Sequence, residues 1–217
     1  MTEYVISKSF SSRVDRTPRV LECAEAFGIG LANKEFVLYE GLKLEVLQGD
    51  VVYITGQSGS GKSQLLKELH RQMRTQEWLR VASLDEVQYD ERPLIDQVGE
   101  NMADAVRLLS MAGLNDAYLF VRSPSQLSDG QKYRFKLAKV IESGATVWVA
   151  DEFGATLDRD TAKVVAFCLQ KMAREAGATV LVATTHSDLE FDLNPTLVVT
   201  KHYENRVAVS TYPERRS

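Results

Sequence analysis

The run Gly56-Gln57-Ser58-Gly59-Ser60-Gly61-Lys62-Ser63 combines three glycines, a lysine and a hydroxyl at the spacing G-x-x-x-x-G-K-S, with Gln64 next in line. Glycines permit the turns that aim successive N–H groups at phosphate oxygens, and the lysine supplies a point charge. Lys62 is placed to reach the β- and γ-phosphates of a nucleotide, and the Ser63 hydroxyl to hold a Mg²⁺ bridging them. A second group, Asp151-Glu152, closes the apolar run Thr146-Val147-Trp148-Val149-Ala150. Acids at the C-terminal end of a strand lie where open α/β sheets bind ligands. There Asp151 serves the Mg²⁺ shell, and Glu152 polarises the water that attacks the γ-phosphate.

These groups need a scaffold, and the flanking patterns supply one. Val51 to Thr55, β-branched and apolar, reads as a buried parallel strand leading into the phosphate loop; Leu65, Leu66 and Leu69 start a helix after it. Leu42 to Leu47 reads as a strand, with Gly49-Asp50 as the following turn, and Thr179 to Ala183 as another strand. A helical insert follows Pro93, with Met102, Ala105, Val106, Leu108 and Leu109 on one helix that ends near Gly113. Asp160 to Glu175 predicts a helix packed through Val164, Val165, Phe167, Cys168 and Met172. Leu197 to Thr200 and Arg206 to Ser210, joined through His202 to Asn205, predict a hairpin, and the serine-rich first dozen residues an edge strand or a loose arm. The alternation predicts an α/β P-loop fold with a small helical subdomain.

Three further segments, Leu127-Ser128-Asp129-Gly130-Gln131, Ala155-Thr156-Leu157-Asp158 and Thr184-Thr185-His186, complete a set that resembles the nucleotide-binding cassette of the ABC ATPase superfamily. The resemblance runs from Arg19 to Tyr212, between an arm at 1–18 and a tail at 213–217, with the helical insert at about 90–145. It implies ATP and Mg²⁺ as ligands, and a homodimer formed head-to-tail on ATP. In that dimer Ser128, Gly130 and Gln131 cap the γ-phosphate held by the other subunit, and Asp158 couples the two sites. It implies that His186 contacts the γ-phosphate and acts with Glu152 and Lys62 in catalysis. Gln88 takes the role of the Mg²⁺-sensing glutamine, with Gln97 as a rival, and Phe27 either stacks on adenine or is an ordinary core ring. Asp129 stands where the family has glycine, so its carboxylate either points away from phosphate or weakens closure. Phe153 replaces the proline usual after the glutamate. Lys132, Arg134, Lys136 and Lys139 predict a basic face on the helix that follows the signature.

The 217 residues, 44% of them apolar, suffice for one core with a subdomain. No apolar span approaches the roughly 18 residues that cross a bilayer. The opening MTEYVISKSF lacks the layout of a secretory leader, and Cys23 and Cys168 stand isolated, which together point to a reducing cytoplasm. A formal net charge of −4 excludes a surface that grips nucleic acid throughout. Arg13, Arg16 and Arg19, Arg71 and Arg74, and Arg215 and Arg216 leave local nucleic-acid contact open, with solvation as the default. The short stretch between Lys62 and Ser128 leaves little room to grip a membrane partner. Moreover, the segments around the signature, the acid pair and His186 are similar to soluble ABC-type ATPases fused to, or beside, an acetyltransferase domain. A soluble ATPase is therefore expected, driving a separate effector that is acetyltransferase-like or nucleic-acid-associated. The alternative is the ATP-binding subunit of a membrane transporter.

Overall fold

The computed structural model describes residues 2–202 and 206–216. The chain opens with β1 (Thr2–Ser12), which pairs antiparallel along its length with β2 (Lys34–Val46). The first dozen residues are therefore a strand of a two-stranded sheet, tied to the main core through Tyr4 and Ile6. Between the two strands lies α1 (Pro18–Phe27), a helix the sequence patterns did not announce; Thr17 caps its start and Gly28, at φ 63°, ends it.

The main sheet has the order β4-β5-β6-β3-β7-β8. Its strands are β3 (Val51–Gly56), β4 (Val81–Ser83), β5 (Val147–Ala150), β6 (Thr179–Ala183), β7 (Leu197–Lys201) and β8 (Val207–Thr211). All neighbours run parallel except β7 and β8, whose pairing matches the expected closing hairpin; the expected turn at 203–205 lies outside the described residues. Alternation along each strand splits the core. Val52 and Ile54 face α2 (Lys62–Arg74), where Leu65, Leu66, Leu69 and Met73 join Tyr4, Ile6 and Leu44 of the small sheet. Val51 and Tyr53 face the opposite side, toward the remaining helices.

Those helices are α3 (Met102–Met111), α4 (Ala117–Phe120), α5 (Asp129–Glu142), α6 (Arg159–Ala176) and α7 (Glu190–Leu193). Asn101 caps α3, as its side chain accepts from the Asp104 N–H, and the arm buries Leu108, Leu109 and Leu114 against α5. The expected face of α6 holds in part. Val165 and Met172 are buried and Cys168 packs against the core, whereas Val164 and Phe167 are 53% exposed; Ala162, Ala166, Leu169, Gln170 and Ala173 complete the buried stripe. Alanines take three of those buried places, and the larger Val164 and Phe167 lie on the outward side. On α5 the expected basic residues are all part-exposed while Phe135, Leu137 and Val140 are buried; two of them also bond, Arg134 donating to the Gly113 and Gly130 carbonyls and Lys139 to that of Gln97. The bonds to Gly113 and Gln97 tie the arm to the helix. No helix among the described residues is long and apolar enough to cross a membrane.

Candidate nucleotide site

The phosphate loop leaves β3 at Gly56 and enters α2 at Lys62, and Gly56, Gly59 and Gly61 all have positive φ. Gly56 also has no room for a side chain, since a Cβ there would lie 2.2 Å from the Lys201 carbonyl oxygen. At the N-terminus of α2, Gly61 provides no side-chain cap, so the first N–H groups stay open to an anion. The Lys62 ammonium folds onto the Gly56 and Gln57 carbonyls at 2.8 and 2.7 Å, inside the loop. Burial lowers the pKa of Lys62, while nearby Asp151 works in the opposite direction. Ser60 Oγ is buried without a hydrogen-bond partner among the described residues.

Loop and acid pair meet directly, because Ser63 Oγ donates to Asp151 Oδ1 at 2.8 Å. Hydroxyl and carboxylate in contact form an oxygen donor set suited to a hard cation such as Mg²⁺. With the open helix terminus, the orphaned Ser60 hydroxyl and the positive loop, the residues fit a Mg²⁺-nucleotide. Beside them is a cavity of about 630 Å³, lined by Ser58, Gly59, Gly61, Lys62, Ser63, Gln64, Asp151 and Glu152, and also by Phe10, Leu38, Ala155, Thr184 and Thr185. Glu152 sits at φ 46°, a left-handed conformation in a residue with a Cβ. Such backbone is costly and recurs at functional sites.

The structure does not bring every expected residue to this cavity. Phe27 ends α1, 77% exposed and outside the cavity lining; the ring that lines the cavity is Phe10, on β1. Gln88 is exposed, and its amide donates to the Glu86 carbonyl. Its rival Gln97 is buried and holds the Asp90 and Arg92 backbone, a structural task. The carboxylate nearest the acid pair is Asp85, whose Oδ2 accepts from the Asp151 N–H at 3.0 Å and whose pKa burial raises. Asp85 was missed, although it follows a strand as Asp151 does. His186 stays outside the lining, its Nε2 3.2 Å from the Gly154 carbonyl, and its own carbonyl accepts from Tyr53 and Thr55.

The signature segment lies at the start of α5. Ser128 caps that helix in a reciprocal box with Gln131: its hydroxyl accepts from the Gln131 N–H, and the Gln131 side chain accepts from the Ser128 N–H. Gly130 is buried, and a Cβ there would meet Thr161 Cγ2 at 2.5 Å, so any larger residue requires the Thr161 side chain of α6 to shift. Asp129 turns to Lys132 at 3.6 Å, a pair that offsets its charge. Asp158 caps α6 through Asp160 and Thr161; the Thr161 hydroxyl, its strongest influence, holds its pKa down. Phe153 is fully buried with its ring edge-on to Tyr133 of α5, which gives the proline replacement a packing reason.

No family model matches the chain. Among curated relatives, the cytochrome c biogenesis ATP-binding export protein CcmA of Gluconobacter oxydans is 29% identical over 171 residues, covering 72% of this chain and 77% of that protein. The methionine import ATP-binding protein MetN of Helicobacter hepaticus is 28% identical over 183 residues, covering 69% of this chain but only 52% of that protein, so the chain spans about half of MetN's length. In solved structures, the ATP-binding cassette MJ0796, described as a dimeric post-hydrolysis state bound to ADP and Pi, superposes with a TM-score of 0.60 at 17% identity, over 97% of this chain and 98% of that one. A cbiO1 of Clostridium perfringens, described as part of a cbiONQ transporter complex, gives 0.63 at 21% identity, over 82% of this chain and 83% of that one. The fold is that of the ABC ATPase cassette. The expected acetyltransferase association finds no support in these relatives, which are named as export and import proteins.

Proposed function

We propose that this chain, an ABC-type ATPase cassette, hydrolyses ATP to power a membrane transport partner. The observation that carries the reading is the Ser63 to Asp151 hydrogen bond, which joins the phosphate loop to the acid pair at one cavity. Within it the loop N–H groups and Lys62 would hold the β- and γ-phosphates, and Ser63 and Asp151 would hold Mg²⁺, which when bound would neutralise charge developing on the phosphates. Glu152 orients the attacking water and accepts its proton. Transfer of His186 from the Gly154 carbonyl to the γ-phosphate would complete the pocket. Phe10 takes the adenine-stacking place expected of Phe27, because it lines the cavity.

The transport role rests on the relatives named for export and import, and replaces the soluble effector-driving ATPase as the preferred reading. A second copy of the chain completes each site through Ser128 and Gln131. The Asp129–Lys132 pair keeps the signature's extra carboxylate from opposing that approach. Phosphate release tests the chemistry: Glu152→Gln is expected to bind ATP and hydrolyse it at least ~100-fold more slowly, since it loses the proton acceptor. Lys62→Ala is expected to lose binding and turnover together. Wild-type turnover in either variant refutes the assignment. Co-purification from the source cell then tests the partner, where a membrane permease supports the reading and an acetyltransferase or nucleic acid in its place overturns it.

A further inference from the structure

One buried charge in the cassette has no part in the chemistry above. Lys201, the last residue of β7, is 2% exposed. Its ammonium donates to the Leu38 carbonyl at 3.3 Å and lies 5.0 Å from the centre of the Tyr39 ring. Among the described residues no carboxylate comes within ion-pair distance of it. Burial accordingly lowers its pKa. A carbonyl and a ring face repay only part of the cost of desolvating a cation, and an apolar residue of similar volume would pack there without that cost.

The surroundings of this ammonium, on β2 and at the end of β7, abut the phosphate loop. Lys201 pairs with Gly56 in the sheet, where its carbonyl stands against the start of the loop. Leu38 lines the nucleotide cavity, and the Tyr39 hydroxyl donates to the Gly61 carbonyl at 3.0 Å. The loop therefore has Lys62 inside it and Lys201 behind it. We infer that Lys201 is a second cation of the nucleotide site, whose charge the phosphates of the bound nucleotide offset across the backbone of the loop. Buried charges interact through a medium that screens them poorly, so such an interaction acts without direct contact. The protein accepts a less stable empty state in return for tighter hold on a polyphosphate.

The inference rests on the ATP reading, and titrating the wild-type protein with Mg²⁺-ATP tests that reading separately: no binding by the wild type sinks the site assignment itself. Given binding, Lys201→Met removes the charge at similar volume. The expected result pairs two opposite effects. By calorimetry, affinity falls on the order of tenfold for Mg²⁺-ATP, less for ADP and not at all for adenosine, following the ligand's charge. By thermal melting, the nucleotide-free variant melts higher than wild type. Turnover at saturating ATP stays within about twofold, because the charge acts on bound and reacting phosphate alike. Unchanged ATP affinity overturns the proposal. So does a variant that melts lower, or fails to fold in both the methionine and leucine versions, or loses ATP and adenosine affinity equally, since each of these marks a lysine that only props the loop.

Discussion

Gly56→Ala measures how tightly the phosphate loop is built against the sheet. The new Cβ would lie 2.2 Å from the Lys201 carbonyl oxygen and 3.1 Å from its carbon, well inside van der Waals contact, and both are backbone atoms that cannot swing aside. Either β7 or the loop must move by about 1 Å, which costs about 1–3 kcal/mol as overpacking. Positive φ (141°) adds a further 1–3 kcal/mol for a residue with a Cβ. The expected loss is thus about 4 kcal/mol, or roughly 10 °C in melting temperature for a chain of this size. Gly59→Ala supplies the control: φ is 74°, yet nothing lies within 4 Å of its Cβ. Only the conformational cost of about 1–2 kcal/mol remains there. Urea unfolding of both variants gives, as their difference, the steric part together with any extra conformational cost at φ 141°. Equal destabilisation of the two would refute the claim that the Lys201 carbonyl closes this position.

Other consequences concern the ligand and the dimer. Phe10→Ala is expected to weaken ATP binding by about 1 kcal/mol, the worth of one aromatic stack, while Phe27→Ala leaves it unchanged; fluorescence titration with a labelled nucleotide separates them, and the reverse order would restore Phe27. Light scattering of Glu152→Gln with ATP is expected to report a dimer, which adding Ser128→Arg abolishes by placing bulk where the opposite phosphate must dock; a dimer that survives Ser128→Arg refutes the shared site.

Legibility of the cassette in its sequence followed the range over which each signal acts. The phosphate loop and the acid pair are local in the chain, and each sits at a strand end that β-branched residues announce. The arm helix Met102–Met111 was equally legible, from its apolar spacing and its end near Gly113. Phe10 was not, since an aromatic on a strand gives no hint of which distant loop it faces until β1 pairs with β2 and lies beside the cradle. Val164 and Phe167 misled because composition favours large apolar residues as the buried set, whereas the face of α6 that is buried carries Ala162, Ala166 and Ala173. Lys201 was invisible for the opposite reason: a lysine at the end of a strand reads as solvated, and only the tertiary fold encloses it. Asp85 was readable by the rule that found Asp151, since it too stands just past the end of a strand.

The left-handed backbone at Glu152 bears on how such a protein can change over generations. Relief from that conformation is one substitution away, because glycine occupies it without strain. Glu152→Gly would remove the carboxylate proposed to orient water and leave a sturdier fold behind. Random mutagenesis screened for heat resistance alone would therefore drift toward inert proteins at this position, whereas a screen that also demands turnover keeps the strain. Thermal robustness and catalytic competence are opposed at a single residue, and a stabilised cassette worth having must gather its improvements elsewhere, on surfaces such as α6 and the arm.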